Sequence, residues 1–145
     1  MILKLSEPNE KQKLFLAEKK HKYIGYGGAR GGGKSWAVRT KAILSCLKYG
    51  GLRVLIVRRT YPELVENHIK PLRKQLTGIA KYNDKDKTLT FLNGSEIKFM
   101  YCRNDKDLDN LQGQEYDLIF IDEATHLSEY QIKACLLYTS CKKIK

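Results

Sequence analysis

A glycine-rich stretch, Gly28-Ala-Arg-Gly-Gly-Gly-Lys-Ser35, has the residue types and the spacing of a loop that binds phosphate groups. Three consecutive glycines disfavour a helix, since each costs roughly 0.8 to 1 kcal/mol there relative to alanine. The stretch satisfies G-x-x-x-x-G-K-[ST], in which backbone N–H groups surround the phosphates while Lys34 and the Ser35 hydroxyl reach the terminal phosphates and Mg²⁺. The pattern predicts a nucleoside triphosphate seated at the N-terminus of a helix. Its predicted contacts are Gly28, Ala29, Arg30, Gly31, Gly32, Gly33, Lys34 and Ser35.

Two adjacent carboxylates, Asp122 and Glu123, follow the apolar run Leu118-Ile-Phe-Ile. Such a run is typical of a buried parallel strand, and ligands bind at the carboxyl ends of the strands in open α/β sheets. Side chains of successive residues diverge at a strand end. Asp122 can therefore face the Mg²⁺ shell together with Ser35, while Glu123 orients or deprotonates the attacking water. The pair predicts a Walker B motif, with Asp122 as a Mg²⁺ ligand and Glu123 as the catalytic base.

Three further residues have types that suit a nucleotide site, but spacing alone leaves their roles open. Arg30, inside the phosphate loop, either points into solvent or stabilises the γ-phosphate as an arginine finger does. Gln12 can hydrogen-bond the adenine edge, and Phe15 can stack on the ring. The alternative for the latter two is an exposed helical glutamine and a core phenylalanine. The predicted catalytic residues are thus Glu123, Lys34 and Arg30.

The elements that must position these residues follow from hydrophobic spacing. The β-prone run 23–27 predicts a strand immediately before the loop, and Trp36, Thr40 and Ile43 begin a helical pattern after it. Asn93-Gly94 between two alternating runs predicts a β-hairpin. Further helices are predicted at 9–20 and from about 128. Another begins at a capping box at 60–63 and should kink or split at Pro71. Buried strands are predicted at 53–58 and 117–122. Strands that alternate with helices predict an α/β sandwich with a mostly parallel central sheet.

Composition limits the class of protein. The chain has 145 residues, enough for a single core. Its 27 Lys and Arg against 16 Asp and Glu give a net charge of +11. This charge either serves to bind a polyanionic partner such as DNA or only makes the surface basic and soluble. The four cysteines lack metal-site spacing and favour a reducing, cytoplasmic setting. No apolar run has the length of a membrane span or a signal peptide, so neither a membrane partner nor secretion is expected.

Several sequence blocks, taken in order, resemble the ATPase domain of the phage terminase large subunit. They are Gln12, then 26–37 around the P-loop, Arg-Arg-Thr-Tyr-Pro-Glu-Leu at 58–64, Asn-Gly-Ser-Glu-Ile-Lys-Phe at 93–99, Leu-Gln-Gly-Gln-Glu-Tyr-Asp at 111–117, and Ile-Asp-Glu-Ala-Thr-His-Leu-Ser-Glu at 121–129. The blocks cover most of the chain from about 9 to 129. The P-loop arginine and the Asn-Gly-Ser hairpin make this resemblance more specific than a P-loop alone.

The resemblance implies a P-loop NTPase with a RecA-like sandwich that hydrolyses ATP to package double-stranded viral DNA into a procapsid. It implies a portal protein, a terminase small subunit and a homo-oligomeric ring as partners, in the host cytoplasm and transiently at the portal. In that family Gln12 would contact adenine, Lys34 and Ser35 the phosphates and Mg²⁺, Asp122 the metal and Glu123 the water. Arg30 would be a trigger for hydrolysis.

The sequence also departs from the family pattern. A coupling motif on a further strand and an RNase H-like nuclease domain follow in the family but not in this chain, so we expect 1–133 to be a partial ATPase domain, incomplete at its C-terminus and weakly active alone. Residues 134–145 do not continue the pattern and contain Cys-Leu-Leu-Tyr-Thr-Ser, which is typical of a translated sequencing adaptor. Two alternatives remain open at this point: a helicase-like or other DNA-dependent P-loop ATPase, and a nucleotide-binding module without turnover.

Overall fold

A five-stranded mixed sheet forms the centre of the computed structural model, which describes residues 3, 5–20, 23–27, 33–111 and 113–137. The strands are β1 (Arg53–Arg58), β2 (Ala80–Asn83), β3 (Thr88–Phe91), β4 (Glu96–Tyr101) and β5 (Leu118–Ile121), in the order β2-β3-β4-β1-β5. β1 runs parallel to both β4 and β5, whereas β3 pairs antiparallel with β2 and β4. The predicted α/β class is confirmed. β2 is a strand that the sequence analysis did not predict.

Helices cover both faces of this sheet. They are α1 (Glu10–Ala17), α2 (Lys34–Lys48), α3 (Tyr61–Leu64), α4 (Lys70–Gln75) and α5 (Glu129–Leu137), with short 3₁₀ turns at Asp105–Leu111 and Ala124–His126. Because side chains alternate along a strand, Val54 and Ile56 of β1 pack in the cluster formed with α2 and α4, and Leu55 and Val57 pack in the cluster beneath α5. Cys135 of α5 is fully buried there. No helix within the described ranges is long and apolar enough to cross a membrane.

The Asn-Gly-Ser turn makes the predicted hairpin between β3 and β4, and it also fixes the end of α2. Gly94 adopts a φ of +84°, a left-handed conformation that glycine reaches without strain. Asn93 Nδ2 donates to the Cys46 carbonyl at 2.7 Å, and Ser95 Oγ donates to the Tyr49 carbonyl. These bonds satisfy carbonyls at a helix C-terminus that have no partner within the helix. The hairpin prediction is confirmed, and the turn holds α2 in place on the sheet.

Replacing Ser95 by Ala is expected to destabilise the fold by about 1 to 3 kcal/mol, the cost of leaving buried polar groups unpaired. Ser95 is fully buried, and its Oγ also accepts from the Leu52 N–H at 3.1 Å. Urea unfolding measures the change in the free energy of unfolding. Thr77→Ala is the matched control, because the Thr77 hydroxyl is exposed and its loss should cost at most about 0.5 kcal/mol. Equal losses in the two variants would contradict a structural role for the turn.

The predicted strand at 23–27 is wrong. The structure assigns these residues no strand, and the Tyr23 and Ile24 side chains are 59% and 42% exposed. A β-prone composition gives a strand only where a neighbouring backbone offers a ladder of hydrogen bonds, because a pleated surface needs a partner. β5 lies at the edge of the sheet, and 23–27 does not pair with it. Tyr26 instead packs edge-on against Phe15 of α1, with ring centroids 5.2 Å apart.

The helical stretch after β1 lacks the side-chain hydrogen bond of the predicted capping box. The predicted kink or split near Pro71 is present as a π turn that separates α3 from α4. Thr60 is the N-cap residue of α3 but makes no side-chain cap bond. Between α3 and α4 the residues Val65–Ile69 form a π turn, closed by a hydrogen bond from the Lys70 N–H to the Val65 carbonyl. Pro71 has no N–H to donate to the carbonyl four residues before it. The freed carbonyl, that of Asn67, accepts from Arg39 Nη1 of α2 instead.

Candidate functional site

The loop predicted to hold phosphates leads directly into α2. Residues 28 to 32 of the predicted loop, Gly28, Ala29, Arg30, Gly31 and Gly32, lie outside the described residues. Gly33 is the N-cap of α2 with φ +72°, and a Cβ at this position would stand 2.3 Å from Gln12 Nε2. Position 33 favours glycine because of its left-handed backbone conformation, and a side chain there would also displace the Gln12 amide. Lys34 and Ser35 open the helix at the end whose N–H groups favour an anion.

Ser35 and Asp122, the two predicted Mg²⁺ ligands, are in direct contact. Ser35 Oγ donates to Asp122 Oδ2 at 2.7 Å, although the two residues are 87 positions apart in the chain. Asp122 follows β5, and its N–H donates to the Val57 carbonyl at 3.0 Å, which continues the ladder between β5 and β1 by one residue. The residue is 5% exposed. The first turn of α2 and the carboxyl end of β5 thus meet at one point.

Two residues that the sequence analysis missed complete the surroundings of Asp122. Arg58 Nη1 donates to Asp122 Oδ2 at 3.1 Å, and His68 Nε2 lies 2.7 Å from the same oxygen. Arg58 is the last residue of β1. Because Val57 pairs with Ile121, the next residues along the two chain segments, Arg58 and Asp122, lie side by side. The sequence contained a partial signal for Arg58, which ends one of two predicted buried strands, but it did not specify that the two strands are neighbours. His68 carried no such signal, because its position depends on the π turn.

Asp122 is a carboxylate at neutral pH. Burial pushes the pKa of its carboxyl upward, but hydrogen bonds from His68 and Ser35 and the positive charge of Arg58 outweigh burial and lower that pKa to about 2. Burial lowers the pKa of the His68 imidazole, against the pull of its hydrogen bond to Asp122. A neutral His68 with its proton on Nε2 donates to the carboxylate. An anionic oxygen ligand is what a hard cation such as Mg²⁺ prefers.

Glu123 stands beside Asp122 but faces a different environment. Its backbone is left-handed, with φ 56° and ψ 49°, an uncommon conformation for a non-glycine residue and one that concentrates at functional sites. The side chain is 34% exposed. Its two carboxylate oxygens lie 4.0 Å from Arg58 Nη2 and 3.9 Å from His126 Nε2. The adjacent carboxylates therefore diverge, with one buried against three donors and the other partly open to solvent.

Gln12 and Phe15 lie on the inner side of α1, and Gln12 contacts Gly33 at the start of α2. Gln12 is 7% exposed; its Oε1 accepts from the Asn9 N–H at 2.8 Å and its Nε2 donates to the Gly33 carbonyl at 3.1 Å. The exposed helical glutamine is thus excluded. Phe15 is buried between Tyr26 and Phe120. Contacts of Gln12 and Phe15 with adenine remain predictions.

The donor set fits Mg²⁺ held jointly with a nucleotide. Within the described residues, no group of three or more His, Cys, Asp or Glu side chains could enclose a metal ion. Mg²⁺ typically uses one or two protein oxygens together with waters and substrate phosphates rather than a dedicated protein cage. The Ser35 hydroxyl and the Asp122 carboxylate, next to the first turn of α2, are such a set. The residues present therefore fit the group that the sequence predicted.

Comparisons with known proteins identify relatives of this chain. The family model described as "Terminase large subunit, T4likevirus-type, N-terminal" matches residues 26–143. No curated protein matches the chain. Among solved structures, the chain is similar to the large terminase from a thermophilic bacteriophage, with a TM-score of 0.76, 18% identity and 96% of this chain covered.

The same phage large terminase also matches in two nucleotide complexes. Its structure with ATP-gamma-S gives a TM-score of 0.71 at 18% identity, and its structure with ADP gives 0.73 at 19%; each match covers 94% of this chain. At this level of identity the matches show a shared fold. The chain spans 38%, 36% and 37% of the three matched chains.

Proposed function

We propose a function from one premise: this chain belongs to the terminase large subunit family and matches its T4-like N-terminal part. The proposed function is that of a P-loop ATPase with a RecA-like sandwich, the motor domain that drives packaging of double-stranded DNA into a procapsid. ATP is the proposed substrate. The matched phage terminase structures, which contain ATP-gamma-S and ADP, support an adenine nucleotide.

The contact between Ser35 and Asp122 carries this proposal. A hydroxyl at the start of α2 and a carboxylate at the end of β5 lie 2.7 Å apart, beside the helix end that favours phosphate. In P-loop NTPases a hydroxyl and a carboxylate in these positions hold Mg²⁺; here Ser35 and Asp122 would hold it, and the ion would supply positive charge against the phosphates. The proposed roles are therefore metal ligation for Ser35 and Asp122 and phosphate binding for Lys34.

The catalytic base in this proposal is Glu123. Its partly open carboxylate lies next to the buried Asp122, whose Oδ2 accepts three hydrogen bonds, and this contrast supports separate roles for the two groups. Glu123 would accept the proton of the water that attacks the γ-phosphate, while Asp122 keeps its charge. Arg30 is proposed to stabilise the γ-phosphate. Gln12 and Phe15 are proposed to contact adenine, and the hydrogen bond from Gln12 to Gly33 would connect that contact to the loop.

Double-stranded DNA, a portal protein and a terminase small subunit are the proposed partners, with a homo-oligomeric ring as the assembled form in the host cytoplasm and at the portal. Residues 1–133 are proposed to be part of the ATPase domain. A helicase-like ATPase is the second candidate, and the family match disfavours it. A nucleotide-binding module without turnover is the third, and the presence of Glu123 beside Asp122 disfavours it.

Binding of duplex DNA tests the function, and the affinity is expected to fall steeply with salt. Proteins that neutralise DNA phosphates lose affinity with a log–log slope of about −0.9 per phosphate. The net charge of +11 supplies the cations for such contacts. Fluorescence anisotropy of a labelled duplex across a salt series gives the slope, and a peptide nucleic acid duplex of equal length is the uncharged control. A flat dependence for DNA, or equal binding of both duplexes, would contradict the proposed DNA partner.

A further inference from the structure

His68 is fully buried at the edge of the candidate site, yet the ATPase roles above do not use it. It lies in the π turn Val65–Ile69. Single π turns within helices are rare and occur frequently at functional sites, because the extra residue redirects a side chain. Here the turn precedes Pro71, whose missing N–H leaves the Asn67 carbonyl free to accept from Arg39 of α2. The turn that carries His68 is thus joined to the helix that carries Ser35.

The imidazole contacts Asp122 through one ring nitrogen. Nε2 lies 2.7 Å from Asp122 Oδ2, and Nδ1 is buried without a hydrogen-bond partner in the described part of the chain. Because a carboxylate can only accept, the neutral imidazole carries its proton on Nε2 and donates a hydrogen bond to Asp122, while Nδ1 is unprotonated. The bonds to Oδ2 from Ser35, His68 and Arg58 all end on that single oxygen. None of the three uses Oδ1.

Burial of His68 with its Nδ1 unpaired among the described residues lowers the stability of the fold, so the position of this side chain requires an explanation. Leaving a buried polar atom unsatisfied costs about 1 to 3 kcal/mol. Side chains that hydrogen-bond a metal ligand fix its orientation, and their loss commonly weakens metal affinity. His68 has the geometry of such a group toward Asp122. Its Nε2 adds a third donor to those of Ser35 and Arg58 on the same carboxylate oxygen.

We infer that His68 is a positioning residue that orients the Asp122 carboxylate for Mg²⁺ through the Nε2 hydrogen bond to Oδ2. The inference rests on the proposed function, since it assigns the orientation of the proposed metal ligand. This role would need no contact between His68 and the metal or the nucleotide. It holds Oδ2 toward Ser35, so that the carboxylate presents Mg²⁺ with a single, fixed orientation. The π turn connects that orientation to the packing of α2 against the helical stretch after β1.

Two amide substitutions separate this role from simple packing. The side-chain nitrogen of His68→Gln can reach the position of the imidazole Nε2, whereas that of His68→Asn is shorter and stops near the position of Nδ1. Both variants bury the same amide group. Calorimetric titration of ATP-gamma-S at a series of Mg²⁺ concentrations gives the apparent Mg²⁺ affinity of each, and binding in EDTA gives the metal-free affinity.

His68→Asn is expected to weaken the apparent Mg²⁺ affinity by about 10- to 100-fold, the range found when the partner of a metal ligand is removed. His68→Gln is expected to retain most of it, and metal-free binding should be the same in all forms. Leu72→Ala, which removes a fully buried side chain of α4, is the stability control: its unfolding temperature should fall with no change in Mg²⁺ dependence.

Equal Mg²⁺ affinities for wild type and His68→Asn would overturn the inference and leave the proposed ATPase intact. The same is true if the Asn and Gln variants lose affinity equally, or if Leu72→Ala loses it too, since packing would then explain the effect. Absence of any Mg²⁺-dependent nucleotide binding by the wild type would overturn the proposed function and the inference together.

Discussion

Lys34→Ala is expected to abolish ATP binding or turnover, with a loss of about 10² to 10³ or more in rate, the range found when one electrostatic donor to a transition state is removed. Lys34 is the first residue of α2, directly after the left-handed Gly33. The sequence pattern predicts that its ammonium group reaches the β- and γ-phosphates, where the negative charge is largest. Alanine keeps the helix, because it is the best helix former, and removes the cation.

The measurement for Lys34 is ATP affinity by calorimetry together with the release of phosphate. Lys48→Ala is a matched control, because it removes a lysine from the last turn of the same helix, away from the loop. The control should bind and hydrolyse ATP as the wild type does. Unchanged affinity and turnover in Lys34→Ala would count decisively against the proposed site.

Replacing each of the two adjacent carboxylates by an amide is expected to impair different steps, Mg²⁺-dependent binding in one variant and hydrolysis in the other. Asp122→Asn should weaken Mg²⁺-dependent binding of ATP, because the amide lacks the charge that an Mg²⁺ ligand needs. It also places an amide where three donors converge on one oxygen. Glu123→Gln should keep ATP and Mg²⁺ but lose turnover, because an amide cannot accept the proton of the attacking water. Calorimetry with ATP-gamma-S at several Mg²⁺ concentrations separates the two variants.

Separate roles would be contradicted if Asp122→Asn and Glu123→Gln behaved alike. If both amide variants lost Mg²⁺-dependent binding equally, Glu123 would be a second metal ligand rather than a base. If neither lost it, Asp122 would serve the fold through Arg58 and His68 and not the metal.

Local patterns predicted the parts of the structure that depend on few residues. The run that forms β1 is continuous and apolar, and the Asn-Gly pair demands a tight turn, so both were predictable from their own residues. The meeting of Ser35 with Asp122 was also predictable, because the sequence predicts a phosphate-binding helix start and a strand that ends in Asp-Glu, and ligands bind at the carboxyl ends of strands in α/β sheets.

Features set by tertiary contacts were not predictable in the same way. Residues 23–27 have β propensity but no backbone neighbour in the sheet, and propensity cannot supply one. The contact between Arg58 and Asp122 requires β1 and β5 to be adjacent and in a particular register, which the sequence did not specify. His68 reaches Asp122 only because a π turn precedes Pro71, and no short pattern signals that turn.

Single-turnover hydrolysis of ATP by wild type and Glu123→Gln is the most direct test of the central claim, that this chain belongs to an ATPase whose base is Glu123. Protein in excess over radiolabelled ATP and Mg²⁺ makes even slow cleavage visible. We predict that both forms bind ATP equally and that Glu123→Gln cleaves it about 10²- to 10⁴-fold more slowly, the usual contribution of a general base. Cleavage by Glu123→Gln at the wild-type rate would contradict the mechanism at its central residue.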